Sequence, residues 1–138
     1  MLDSTTYSEC RALDASFDQA LARTRTALAD EGFGVLSEID VQATLAAKLG
    51  VEREPYTILG ACNPQLANQA LTAEPQLGAL LPCNVTVFVY DGQTYVSSVA
   101  AEQMLGIVGN PALAPIAREV GARLERVLGH VAAEPTVA

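Results

Sequence analysis

The chain has 138 residues, 50% of them apolar, and this length predicts one domain over residues 1–138, with an ordered core at about 7–128 and a tail at 131–138. Its formal net charge of −8 argues against nucleic acid as a partner, because an acidic surface repels phosphate. The chain has no apolar run of membrane-spanning length, and residues 1–6 lack the basic and apolar regions of a signal peptide, so we expect a cytoplasmic protein that makes no membrane contact.

The first part of the chain predicts two strands, each followed by a helix. The strands are expected at residues 7–13 and 34–39. Asp14 or Ser16 supplies the N-cap of the first helix, and Asp40 caps the second. Apolar residues at helical spacing support both helices: Phe17, Ala20, Leu21, Thr24 and Leu28 in the first, and Val41, Thr44, Leu45 and Leu49 in the second.

The middle of the chain predicts a strand at residues 56–62 that leads directly into a helix. Asn63 is an N-cap residue, and Pro64 suits the first helical position, where its missing N–H has no partner to lose. Residues 75–82 are apolar and bounded by prolines, which favours a turn or a short helix packed against the core. The expected helical stripe is Leu66, Ala67, Ala70 and Leu71.

A β-hairpin is the clearest local signal. Asp91-Gly92 suits a two-residue type I′ turn, in which both residues need positive φ. This turn sets the register, pairing Tyr90 with Gln93, Phe88 with Tyr95, and Val87 with Val96. One face of the hairpin is then Val85, Val87, Val89, Thr94, Val96 and Ser98, which we expect to face the core, and the other is Thr86, Phe88, Tyr90, Gln93, Tyr95 and Ser97.

The C-terminal part predicts a helix at residues 101–108 and a long helix that begins near Ala114. Gly109-Asn110-Pro111 separates the two. The long helix carries Ile116, Val120, Leu124, Val127 and Leu128 at helical spacing. Because the hairpin is antiparallel, the sheet is not purely parallel, and the order of elements predicts an α+β fold with the helices on one face.

Four segments resemble the domain-of-unknown-function 302 family of small bacterial and archaeal proteins. They run through residues 17–41, 56–64 and 80–85, and through Asn110-Pro111-Ala112-Leu113 with Ile116-Ala117. The Cys62-Asn63-Pro64 and Leu81-Pro82-Cys83 blocks are the most specific. The resemblance implies a curved, mainly antiparallel sheet with helices packed on one face, similar to the TATA-box-binding-protein-like arrangement. It also implies a homodimer, and it implies no activity.

Two cysteines at strand ends form the sharpest candidate site. Cys62 closes one predicted strand and Cys83 opens another, so the two thiols are expected to meet in a cleft that also contains Asn63, Pro82 and Asn84. The positive end of the following helix would favour a thiolate at Cys62. The alternative is that both cysteines are small buried side chains, a common role for free cysteine.

The aromatic face of the hairpin is a second candidate surface. Thr86, Phe88, Tyr90 and Tyr95 are interpreted as a homodimer interface, because a half-apolar sheet face needs a cover and aromatic residues are frequent in interfaces. With Tyr56 these rings could instead line a small-molecule pocket. The sole histidine, His130, has no local partner and is interpreted as exposed or as a cap at a helix end.

Three functions remain open at the level of sequence. The first is a module that binds a small apolar or sulfur-bearing ligand near the two cysteines. The second is a thiol-dependent redox or transfer protein that uses Cys62 or Cys83, and the third is a structural protein that acts through a partner surface. No zinc-type cysteine spacing, GxGxxG or Walker motif is present, so we expect no metal site and identify no cofactor.

Overall fold

Five strands form one antiparallel sheet in this computed structural model, which describes residues 1–133. The spatial order of the strands is β1-β5-β4-β3-β2, and each neighbouring pair is antiparallel, so the predicted α+β fold is confirmed. The strands are β1 (Ser8–Leu13), β2 (Gly34–Asp40), β3 (Tyr56–Cys62), β4 (Cys83–Tyr90) and β5 (Gln93–Val99).

The described residues form five α-helices beside the sheet. They are α1 (Phe17–Asp30), α2 (Val41–Leu49), α3 (Pro64–Ala73), α4 (Ala101–Gly106) and α5 (Ala114–Ala133), with 3-10 turns at Pro75–Leu80 and Pro111–Leu113. Helices α1 and α5 pack on each other and cover the sheet face that carries Val85, Val87 and Val96 (the valine face), where α1 contacts β4 and β5 and α5 contacts β1 and β5. Val85, Val87 and Val96 are fully buried in this layer, as the hairpin pattern predicts.

Side-chain caps fix where three of the helices begin. Ser16, and not Asp14, caps α1, and its hydroxyl accepts from the Gln19 N–H at 3.1 Å while the Gln19 side chain accepts from the Ser16 N–H. Asp40 accepts from the Ala43 N–H at 2.8 Å, and Asn63 from the Leu66 N–H at 3.1 Å. These bonds satisfy helix N–H groups that have no partner within the helix.

The hairpin has the register that its turn residues predict. Tyr90 pairs with Gln93, and Asp91 and Gly92 have φ of 50° and 77°. Glu54, in the loop before β3, accepts hydrogen bonds from the N–H groups of both turn residues, at 2.7 and 3.0 Å. The turn is therefore held by a carboxylate that is distant in sequence.

The last helix is longer than the sequence pattern predicts. A tail was expected from residue 131, but α5 continues to Ala133, because Val131 is fully buried in the core below it. The rest of the expected tail, residues 134–138, lies outside the described residues. Helix α4 is shorter than expected and ends at Gly106, followed by the largely exposed Ile107. Over residues 1–133, no helix is long and apolar enough to cross a membrane.

Candidate functional site

An apolar cavity of about 340 Å³ lies beside the sheet, where β3 ends and β4 begins. Its walls come from α3, the 3-10 turn Pro75–Leu80 and α5, and the exposed side chains of Leu36 and Leu71 lie at its rim. The chain turns from β3 into α3 at Asn63, which places the first turns of the helix over the end of the strand. The lining includes Phe33, Leu66, Ala67, Leu77, Leu81, Ile116 and Val120.

Two of the three cysteines line this cavity together. Ala61 is opposite Cys83 in the β3–β4 ladder, so Cys62 follows the residue that pairs with Cys83. Cys62 is half-buried, whereas Cys83 is only 7% exposed. Burial raises the pKa of the Cys83 thiol to about 11, and the neighbouring Cys62 adds a smaller electrostatic contribution. The two thiols thus line one cavity in unlike environments.

Asn63 and Pro82 also line the cavity, as the sequence places them. The Asn63 carboxamide oxygen accepts the capping hydrogen bond from the Leu66 N–H, so its role in the cavity wall is structural. The Pro82 ring packs against the backbone of Gly60. A Cβ atom on residue 60 would lie only 2.7 Å from the Pro82 Cγ. The ring of Pro82 therefore occupies space that is free only because residue 60 is glycine.

Asn84 does not belong to this site, contrary to the expectation. Successive residues of a strand point to opposite faces, so Asn84 lies on the other side of the sheet from Cys83. It is exposed there and lines a different cavity, with Thr86 and Phe88. The cleft predicted from five residues contains four of them.

The cavity offers no charge to a ligand. Among residues 1–133, every lining side chain is apolar except those of Cys62, Asn63 and Cys83, and none is ionic. Nor do the described residues contain any group of three or more His, Cys, Asp or Glu side chains that could hold a metal ion. The site therefore suits an uncharged molecule, and its reactive groups are two thiols.

Sequence reasoning missed most of the cavity wall. Leu66 and Val120 were assigned to helical stripes, and Leu77 and Leu81 to a segment packed on the core, but nothing local indicates that a space remains between them. The one sequence signal that bears on it is an excess of leucine in a short proline-bounded segment, residues 75–82. Leu36, which is exposed and lines the cavity, is predicted from sequence only as a residue of the strand at 34–39.

The other face of the sheet carries a row of aromatic rings across three strands. Tyr56 and Phe88 stack with ring centroids 4.9 Å apart, and Phe88 and Tyr95 stack at 5.3 Å. The row follows from the strand register, which pairs Tyr56 with Phe88 and Phe88 with Tyr95. A second cavity, of about 410 Å³, lies between this face and the N-terminal residues.

The sequence predicts that the aromatic face is uncovered within the monomer, but the N-terminal residues cover part of it. The Leu2 N–H donates to the Tyr95 hydroxyl at 3.0 Å, and Tyr95 is only 1% exposed. Thr86 and Phe88 are half-buried and Tyr90 is 56% exposed. Of the four residues assigned to an interface, Tyr95 is already buried within the monomer by the N-terminal segment.

The remaining candidates lie away from the two-thiol cavity. His130 is exposed in the last turn of α5, as expected. Cys10 is half-buried and lines the cavity on the aromatic face, and burial raises the pKa of its thiol. Cys10 therefore lines a different cavity from Cys62 and Cys83.

The fold and the site together define a small α+β protein with an apolar two-thiol cavity beside an antiparallel sheet. The chain belongs to the family described as domain of unknown function DUF302, whose model matches residues 9–131. This agrees with the resemblance carried by the Cys62-Asn63-Pro64 and Leu81-Pro82-Cys83 blocks.

A solved structure supports the same assignment. The chain is similar to an uncharacterised conserved DUF302 protein from Bacillus stearothermophilus, with a TM-score of 0.86 and 29% sequence identity over 92% of this chain and 99% of that one. No match is found among curated proteins. These comparisons establish fold and family.

Proposed function

We propose that the protein is a binding module that holds a small, uncharged apolar or sulfur-bearing molecule in the two-thiol cavity. The observation that carries the proposal is the cavity itself: about 340 Å³, lined almost wholly by apolar side chains and entered past exposed leucines. Apolar clefts of a few hundred Å³ with few polar groups are typical of small-ligand sites. The proposal places the protein in the reducing cytoplasm, where all three cysteines stay free thiols.

Filling the cavity tests this proposal. Ala67→Phe places a ring in the space, so we expect at least a tenfold loss of affinity for an uncharged fluorescent probe such as N-phenyl-1-naphthylamine. Probe fluorescence measures the affinity, and native mass spectrometry shows whether a molecule is retained on purification.

The control is Gln69→Phe, which adds the same ring to the exposed side of the same helix. It should leave probe affinity within about twofold. Equal affinities for the two variants, with both folded by circular dichroism, would remove the cavity as the binding site.

A thiol-dependent redox or transfer reaction is the alternative function. The burial that raises the pKa of Cys83 to about 11 weakens that thiol as an attacking group, because the thiolate is the nucleophile. A reactive role therefore falls to Cys62, which is less buried. The alternative of a structural partner protein would be favoured if Ala67→Phe changed nothing.

We also propose a homodimer, formed through the part of the aromatic face that the N-terminal segment does not bury. The half-buried Tyr56 and Phe88 and the exposed Tyr90 are large side chains available on it. Native mass spectrometry should give twice the chain mass of 14.5 kDa, and Tyr90→Glu should shift the population to monomer, because it puts a charge in an apolar contact. A monomer at micromolar concentration would contradict this proposal.

A further inference from the structure

The three thiols of this protein differ in access and surroundings. Cys62 is half-buried in the wall of the two-thiol cavity, Cys83 is nearly enclosed in the same wall, and Cys10 lines a different cavity, on the aromatic face. Within residues 1–133, the two-thiol cavity combines a half-buried thiol with a lining that has no ionic side chain, whereas the cavity beside Cys10 also contains Asp3. A disulfide reagent that enters the two-thiol cavity has access to the half-buried Cys62, while Cys83, in the same lining, is only 7% exposed.

Resting on the proposed function, we propose that Cys62 captures one half of a low-molecular-weight apolar disulfide as a mixed disulfide, with the organic group held in the cavity. The Cys62 thiolate attacks one sulfur of R–S–S–R. A bond forms between the Cys62 sulfur and R–S, the original S–S bond breaks, and the departing R–S⁻ takes the proton that Cys62 released. The protein thiol is oxidised to the disulfide level, and half of the reagent is reduced to R–SH.

The apolar preference follows from the cavity wall. A charged R group would leave water for a space in which no described side chain offers an opposite charge, and that desolvation is costly. A propyl group has no such cost, and it replaces cavity water with contacts to Leu66 and Leu81. The site therefore discriminates against highly charged disulfides such as that of glutathione.

Persistence of the mixed disulfide follows from the position of Cys83. Cys83 would have to attack the Cys62 sulfur as a thiolate to expel R–SH and close a Cys62–Cys83 disulfide. Cys83 is only 7% exposed, and this burial raises the pKa of its thiol to about 11, so little of the attacking thiolate forms near neutral pH. The captured group is thus protected from the neighbouring thiol, and an external thiol reductant is needed to release it.

A matched pair of reagents tests the capture on the whole chain. Dipropyl disulfide and 3,3′-dithiodipropionate have the same three-carbon arms, ending in a methyl group and a carboxylate. Intact mass and peptide mapping give the rate of adduct formation at each cysteine, and urea-unfolded protein gives the intrinsic reactivity of each reagent. Cys10 in the same molecule reports the repulsion of the anionic reagent by the net charge of −8.

We expect the folded protein to acquire one propylthio group at Cys62. The ratio of the rate with dipropyl disulfide to the rate with 3,3′-dithiodipropionate should be at least about tenfold greater at Cys62 than at Cys10. Cys62→Ser should abolish the cavity adduct, while Cys10→Ser leaves it in place. An equal preference at Cys10 and Cys62, modification of Cys83 first, or rapid loss of the adduct to an intramolecular disulfide would each overturn the inference.

Reversible binding separates this inference from the proposed function. The sulfur-free probe N-phenyl-1-naphthylamine cannot form a mixed disulfide, so its binding to the wild-type chain reports on the cavity alone. Probe binding without propylthio capture by the wild-type chain overturns the capture alone. If neither the probe binds nor the propylthio group is captured, the proposed function falls as well.

Discussion

Leu124→Ala is expected to lower the free energy of unfolding by about 3 kcal/mol. Leu124 is 1% exposed in α5 and belongs to the core formed with α1 and the valine face of the sheet. Removing its isobutyl group takes away buried apolar surface and leaves a space that neighbours from three elements cannot fully close. Helix propensity offsets only a few tenths of a kcal/mol of this loss, because alanine is a slightly better helix former than leucine.

Urea unfolding followed by far-ultraviolet circular dichroism measures this effect as a lower midpoint at unchanged slope. Leu49→Ala is the matched control, because Leu49 is also helical but 69% exposed. It should change stability by no more than about 0.5 kcal/mol. A loss below about 1 kcal/mol for Leu124→Ala would show that α5 does not pack on the sheet as described.

Gly60→Ala should destabilise the protein by about 2 kcal/mol. Gly60 is in the middle of β3, and a Cβ there would meet the Pro82 Cγ at 2.7 Å and the Ser37 Oγ at a still shorter distance. A strand ordinarily gains from an alanine in place of glycine, so a loss of stability would report this close approach. Because Pro82 lines the two-thiol cavity, the same change should also weaken probe binding.

Two further variants locate the cause of that effect. Gly129→Ala, within α5 and with nothing within 4 Å of its Cβ position, should raise stability by about 0.5–1 kcal/mol. Adding Ser37→Gly to Gly60→Ala should recover part of the loss, because it removes one of the two clashing side chains. If Gly60→Ala is as stable as the wild type, Pro82 and Ser37 do not occupy the space described.

Local rules account for much of the fold. The Asp91-Gly92 turn fixed the register of β4 and β5, and the Asn63 cap fixed the start of α3, since each depends on residues within a few positions. The end of α5 was missed for the opposite reason. Nothing next to Val131 in sequence reveals that the core lies below it.

The candidate site was only partly readable. The sequence predicts that Cys62 and Cys83 share a cleft, and both line one cavity. The prediction for Asn84 was wrong because β4 begins at Cys83. From that residue onward side chains alternate between the two faces of the sheet, so Asn84 points away from the cavity. The cavity depth depends on Val120, which is distant in sequence from both thiols.

The amino-acid order alone specified the element types, the hairpin register and the valine face, because these follow from backbone preferences and from the two-residue and 3.6-residue periods. Long-range packing decided the rest. Leu2 covers Tyr95 from 93 positions away, and α5 completes a cavity begun by β3 and α3. Spaces between elements, and the covers over their faces, arise only when surfaces distant in sequence meet, and no local pattern encodes the gap that remains between them.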